Sequence, residues 1–271
     1  MVSTATTSTA AAAVDGALAE GRAALVAYLP VGFPDVAASV EAAKAAVDGG
    51  ADVVELGLPY SDPTMDGVTI QRAVDVALAQ RTRPADVLRA VEAVAATGAA
   101  VLVMTYWPPI DRYGVDRFAR DLASAGGAGL ITPDLIPDEA GAWIGASEAE
   151  DLERVFLVAP SSTDARLALT AERSRGFVYA ASLMGTTGAR ATVGAGARQL
   201  VERTRAAGAE RVCVGLGVST PDQAAEVAGY ADGVIVGSAF VSRLLDAEDT
   251  AAGVRAVGQL AADLSAGIRR A

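Results

Sequence analysis

Histidine is absent from the whole 271-residue chain, Lys44 is its only lysine and Cys213 its only cysteine. Without histidine there is no imidazole base, no Ser/His relay and no His-rich metal centre. Imine chemistry would rest on Lys44 alone, which falls inside a helical pattern and faces solvent. One cysteine excludes an internal disulfide, and within the apolar "RVCVG" it reads as a small buried hydrophobe. No apolar run reaches the roughly 18 to 20 residues that span a bilayer, and the Ala/Thr-rich start "MVSTATTSTAAAAVDG" lacks the basic segment of a signal peptide. The chain therefore reads as cytoplasmic, with no membrane role. Basic charge is also short, 22 residues against 33 acidic ones for a net −11, which argues against a general field for nucleic acid. An anionic ligand would need a local site.

What is present is apolar and periodic. Hydrophobic residues make up 52% of the chain, enough for a large core. Short β-like runs alternate with amphipathic helices: "AALVAYL", "ADVVEL", "AAVLVMT", "AGLIT", "RVFLVA", "GFVYAA", "RVCVG" and "GVIVG". Their near-continuous Val, Ile, Leu and Ala content suits parallel strands covered by helices. Asp35 is placed to cap a helix carrying Val36, Val40, Ala43 and Val47, and "TPDQ" gives Thr220, Pro221 and Gln223 in the pattern of a helix start. Eight such units in a chain of this length, with no linker, predict a single α/β domain over residues 1–271. It is a (β/α)₈ TIM barrel with additional N-terminal and C-terminal helices. A doubly wound open sheet has the same periodicity.

In such barrels the chemistry gathers where strands end. The second run ends in Glu55, the third leads to Tyr106, the fourth to Asp134, and the sixth carries Tyr179 and leads to "MGTTGAR". The last two end in "GLG" and "GS", so Gly215, Gly217, Gly237 and Ser238, with Gly185 and Gly188, can turn N–H groups toward an anion. Ser238 opens a short helix whose dipole adds to them. Glu55 points into the barrel mouth, where desolvation raises a carboxyl pKa and fits it to give and take a proton; the other reading is a buried carboxyl tied to a neighbouring hydroxyl or arginine. Asp62 and Asp66 follow on the loop, where either suits an ordinary turn.

The stretch "ELGLPYSDPTMDGVTIQ" resembles the signature of the tryptophan synthase α subunit family, and the likeness runs in order from "YLPVGFPD" to "GVIVGSAFV". It implies retro-aldol cleavage of indole-3-glycerol phosphate to indole and glyceraldehyde 3-phosphate, with no metal and no cofactor on this chain. By the same resemblance Glu55 is the acid/base at indole C3 and Asp66 the carboxylate on the indole N–H. Tyr179, Thr187, Gly188, Gly217, Gly237 and Ser238 line the substrate and phosphate site, with Tyr28, Tyr106 and Leu130 along the indole pocket. Asp134 is linked to closure of the loop carrying Thr187, and Pro59 and Asp62 lie on a loop facing the partner. That partner is a β subunit holding pyridoxal phosphate in an α₂β₂ complex.

Two positions depart from the family pattern: Pro108 stands where Asn is usual and Val68 where Pro is usual. Loss of an amide at Pro108 raises the alternative of a stand-alone lyase that releases free indole. Barrels that isomerise phosphoribosyl compounds share the phosphate site but lack the "ELGLPYSDPTMDG" spacing. An inactive binding subunit would leave Glu55 and Asp66 idle.

Overall fold

The computed structural model describes residues 8–182, 190–215 and 217–271. Its strands are β1 (Ala24–Pro30), β2 (Val53–Gly57), β3 (Ala100–Met104), β4 (Gly129–Ile131), β5 (Glu153–Val155), β6 (Leu157–Val158), β7 (Val178–Ala181), β8 (Val212–Gly215) and β9 (Gly233–Val236). They form one sheet in the order β5-β4-β3-β2-β1-β9-β8-β7-β6, with every ladder parallel. The two outermost members, β5 and β6, are separated in sequence by Phe156 alone, whose carbonyl accepts from Tyr179 N at 3.0 Å. The run "RVFLVA" is thus one stave made of two short strands, and the sheet closes on itself through it. This is the barrel that the periodicity predicts; an open sheet would have its ends far apart.

The helices form where their sequence signals fall. In α2 (Val36–Asp48) the Asp35 side chain accepts from Ala38 N at 2.8 Å. Thr220 and Gln223 make a reciprocal cap on α10 (Pro221–Ala228), with Pro221 in the first turn. The long interval after β2 holds α3 (Val68–Ala79) and α4 (Pro84–Ala95). A short helix that the sequence reading lacked, α5 (Trp107–Tyr113), begins at "WPP". Two prolines in a first turn cost no helical hydrogen bond, because those N–H groups would be unpaired anyway. The flanking helices are α1 (Ala10–Ala19) and α12 (Thr250–Ile268). No helix among the described residues is long and apolar enough to cross a membrane.

Side-chain alternation divides the core in two. One layer lies between the strands and the outer helices. The other fills the barrel with Val26, Val53, Leu102, Ile131, Cys213 and Ile235, and α1 closes its N-terminal end with Ala10, Val14 and Ala17. Cys213 is fully buried there, against Gly233, as a small hydrophobe. The Glu153 carboxylate accepts from Ala10 N and Ala11 N at 2.8 Å each, fastening the α1 N-terminus to the barrel floor. The floor is a stability device, which leaves the opposite rim for chemistry.

Candidate active site

A cavity of about 310 Å³ opens at the C-terminal ends of the strands. Glu55 lies at its base, wholly buried, in register with Tyr28 of β1 on one side and Leu102 of β3 on the other. Neither carboxylate oxygen has a hydrogen-bond partner among the described residues. An unpaired charge in that setting is costly, so burial pushes the Glu55 pKa up to about 8. Near neutrality the side chain is a neutral acid able to donate a proton and take one back.

Asp66 reaches the cavity from the loop after β2 and is half-buried. Burial raises its pKa, and a hydrogen bond with Tyr106 partly offsets the rise. Tyr106 Oη also accepts from Met65 N at 2.9 Å, and its ring stacks at a tilt on Tyr60 with centroids 5.4 Å apart. A residue just past β3, at the start of α5 (Trp107–Tyr113), therefore anchors the segment that carries Asp66. The two carboxyls have separate environments, one sealed and unpartnered, the other on the rim beside a phenol.

The apolar walls come from Met104, Leu157, Ile70 and Ile235, with Tyr28 and Tyr179 between them. Each tyrosine is seated on a glycine. A Cβ added at Gly57 would lie 2.5 Å from Tyr28 Oη, and one at Gly215 would collide with Tyr179 Oη. Gly217 with φ +70°, Gly237 and Ser238 form the far end, where Ser238 starts α11 (Ser238–Leu245). No arginine or lysine is among the described residues lining the cavity. An anion there is left to main-chain N–H groups and the helix terminus.

A second cavity, of about 370 Å³, lies at the opposite end of the barrel around Glu153, Arg175 and Arg211. Its charges are already engaged: Glu153 caps α1, Arg211 pairs with Asp15 at 2.7 Å and Arg175 pairs with Asp151 at 2.5 Å.

A family model described as tryptophan synthase alpha chain matches residues 15–269. The chain is similar to the tryptophan synthase alpha chain of Thermobifida fusca, 63% identical over 94% of this chain and 96% of that protein. Its likeness to the Streptomyces coelicolor protein of the same name is 63% over 93% and 94%. Among solved structures it superposes on a chain of Mycobacterium tuberculosis tryptophan synthase with TM-score 0.89 and 55% identity, covering 97% of this chain and 99% of that one. The chain belongs to the tryptophan synthase alpha chain family.

The cavity of this tryptophan synthase alpha chain gathers Tyr28, Glu55, Asp66, Tyr179, Gly217, Gly237 and Ser238. Tyr106 stands behind Asp66 in an adjoining recess. Leu130 does not join them. Strand alternation turns its side chain into the layer between sheet and helices, and its neighbour Ile131 faces the barrel interior. The apolar positions that the sequence reading missed, Met104 and Leu157, are inward residues of β3 and β6. Those runs are apolar on both faces, so their phase was not readable before the sheet closed.

Thr187 and Gly188 lie outside the described residues. Asp134 is not in the cavity; its carboxylate accepts from Trp107 N at 2.9 and 3.2 Å and caps α5 from outside the helix. Pro59 is buried while Asp62 is exposed beside Ser61, which donates to it at 2.5 Å. Of the two departures, Val68 opens α3 without a proline. There Gln71 Nε2 donates to Asp66 O at 2.7 Å and ties the helix start to the loop that carries Asp66. Pro108 falls in the first turn of α5, where its missing N–H is harmless to the helix.

Proposed function

We propose that Glu55 and Asp66 carry the reaction of this tryptophan synthase alpha chain, the lyase cleavage of indole-3-glycerol phosphate in tryptophan biosynthesis. The observation that carries the reading is Glu55, a fully buried carboxyl with no partner at the base of the strand-end cavity. Glu55 gives its proton to indole C3. The positive charge that develops on the ring spreads to N1, whose N–H is held by the Asp66 carboxylate. Glu55, now ionised, takes the proton of the hydroxyl on the carbon attached to C3. That oxygen becomes the aldehyde oxygen of glyceraldehyde 3-phosphate, and the electrons of the breaking carbon–carbon bond return to the ring to restore indole. The substrate's own ring is the electron sink, so no imine is required and Lys44 stays a surface residue, paired with Glu41.

The phosphate binds at the far end, on the N–H groups around Gly217, Gly237 and Ser238. Distant carboxylates of a chain of net charge −11 are screened over about 8 Å at physiological salt, while N–H contacts act at hydrogen-bond range. The chain works in the cytoplasm as the alpha subunit of an α₂β₂ complex. Asp62 and the exposed loop around it face the β subunit, whose pyridoxal phosphate receives the indole.

The deciding experiment is an assay of indole release from indole-3-glycerol phosphate by the chain alone and with a β subunit. Cleavage in both, strongly accelerated by the partner, is the expected result. Full turnover that a β subunit leaves unchanged would favour a stand-alone lyase, and no indole in either case would end the assignment.

A further inference from the structure

Tyr28 has a hydroxyl that the acid/base scheme above does not use. Its ring runs between two glycines. A Cβ on Gly237 would meet Tyr28 Cδ1 at 3.2 Å and Cβ at 3.5 Å, and a Cβ on Gly57 would meet Oη at 2.5 Å and Cζ at 3.0 Å. Gly237 belongs to the anion-binding end. Gly57 stands two residues beyond Glu55 on β2, hence on the same face of the strand and one layer nearer the mouth. Tyr28 thus spans the gap from the phosphate end to the level just above the Glu55 carboxyl. A wall that served only the flat apolar indole would need no polar atom there. The phenol lines the cavity and has no hydrogen-bond partner among the described residues. Burial, then the nearby Asp66 and Glu55 carboxyls, hold its pKa well above the ordinary tyrosine value, so it remains an O–H donor.

Given the reaction assigned to this site, we infer that the Tyr28 hydroxyl contacts the hydroxylated three-carbon chain of the substrate rather than its indole ring. It hydrogen-bonds the hydroxyl that Glu55 deprotonates and holds that oxygen over the carboxylate. The phenol transfers no proton; it fixes the direction of one. It is therefore a contact that distinguishes a substrate with a hydroxylated tail from an indole phosphate without hydroxyls, a distinction that the apolar walls cannot make.

The test compares Tyr28→Phe with the wild-type chain in the complex with a β subunit, using two ligands. One is indole-3-glycerol phosphate, read as kcat and KM. The other is an indole alkyl phosphate of the same length lacking both hydroxyls, read as an inhibition constant. Phenylalanine keeps the ring seated between Gly57 and Gly237, so the analogue affinity serves as the control for the fold. The expected result is a loss of about tenfold or more in kcat/KM for the substrate, the value of one hydrogen bond, with the inhibition constant unchanged. Unchanged kcat/KM, or an equal loss for both ligands, would overturn this role while leaving Glu55 and Asp66 in place. A wild-type complex that forms no indole would overturn the reading of the site, and this role with it.

Discussion

Tyr106 Oη accepts a hydrogen bond from Met65 N at 2.9 Å, joining the segment just past β3 to the loop that carries Asp66. Asp66 is the next residue along, so one phenol fixes both the backbone before the carboxylate and the carboxylate itself. The loop after β2 is otherwise exposed over Ser61, Asp62, Thr64 and Met65.

Tyr106→Phe should lower kcat by about tenfold while the phosphate end binds as before. It removes one hydrogen bond to a backbone N–H and one to a carboxylate, which together are worth roughly 1 to 3 kcal/mol. Steady-state kinetics with substrate, and binding of inorganic phosphate as the control, check it. Equal losses in both would mean that the whole rim had shifted.

Glu55→Gln should abolish indole release, since the amide can neither donate to C3 nor accept from the hydroxyl; general acid/base groups typically contribute about 10² to 10⁴ in rate. The same substitution should stabilise the fold. The folded-state pKa of about 8 lies above the ordinary 4.5, so the unfolded chain loses this proton first. The stability due to the bound proton is whole below about pH 4.5 and falls as pH rises toward 8. The unfolding free energy of Glu55→Gln, read from urea midpoints, should therefore gain on wild type from pH 5 to pH 8 by an amount on the order of a few kcal/mol. A constant difference across that range would show that Glu55 is not held neutral. For the same reason, wild-type turnover should decline above about pH 8 as the acid form disappears.

Asp134→Ala should cost about 1 kcal/mol, the usual value of a helix cap, read from the urea midpoint. Pro108 and Pro109 supply no N–H, so Trp107 N is the donor of that first turn and Asp134 is its acceptor. The capped helix starts immediately after Tyr106, and a moderate fall in kcat should accompany the loss. No change in stability would show that water replaces the carboxylate without penalty.

Glu153→Ala should destabilise by about 2 to 3 kcal/mol with little effect on the kinetics of folded protein. It leaves Ala10 N and Ala11 N without their acceptor at a buried helix start. Thermal melts and activity at low temperature separate the two effects. A fall in kcat matching that of Glu55→Gln would contradict the division between a structural floor and a chemical rim.

The two buried glutamates show how far sequence reading reaches. Glu55 was legible because an acid closes an apolar run and is followed by a motif of specific spacing. Glu153 was not, because its partners Ala10 and Ala11 lie more than 140 residues away and alanines give no sign of a binding role. Leu130 and Ile131 show the limit within one strand. The run "AGLIT" indicates a strand clearly, but a run apolar on both faces gives no phase, and only closure of the sheet decides which residue faces the barrel interior.

Order along the chain was set by the sequence itself: apolar runs of strand length, capped helices between them, and acids and glycines at the strand ends. Those are local matters, governed by period and by side chains a few residues apart. The phase of each strand, the seating of Tyr28 on Gly57 and Tyr179 on Gly215, and the isolation that holds Glu55 neutral were decided by the closed barrel. They depend on which distant residues exclude water from one another, and no neighbour in sequence can supply that.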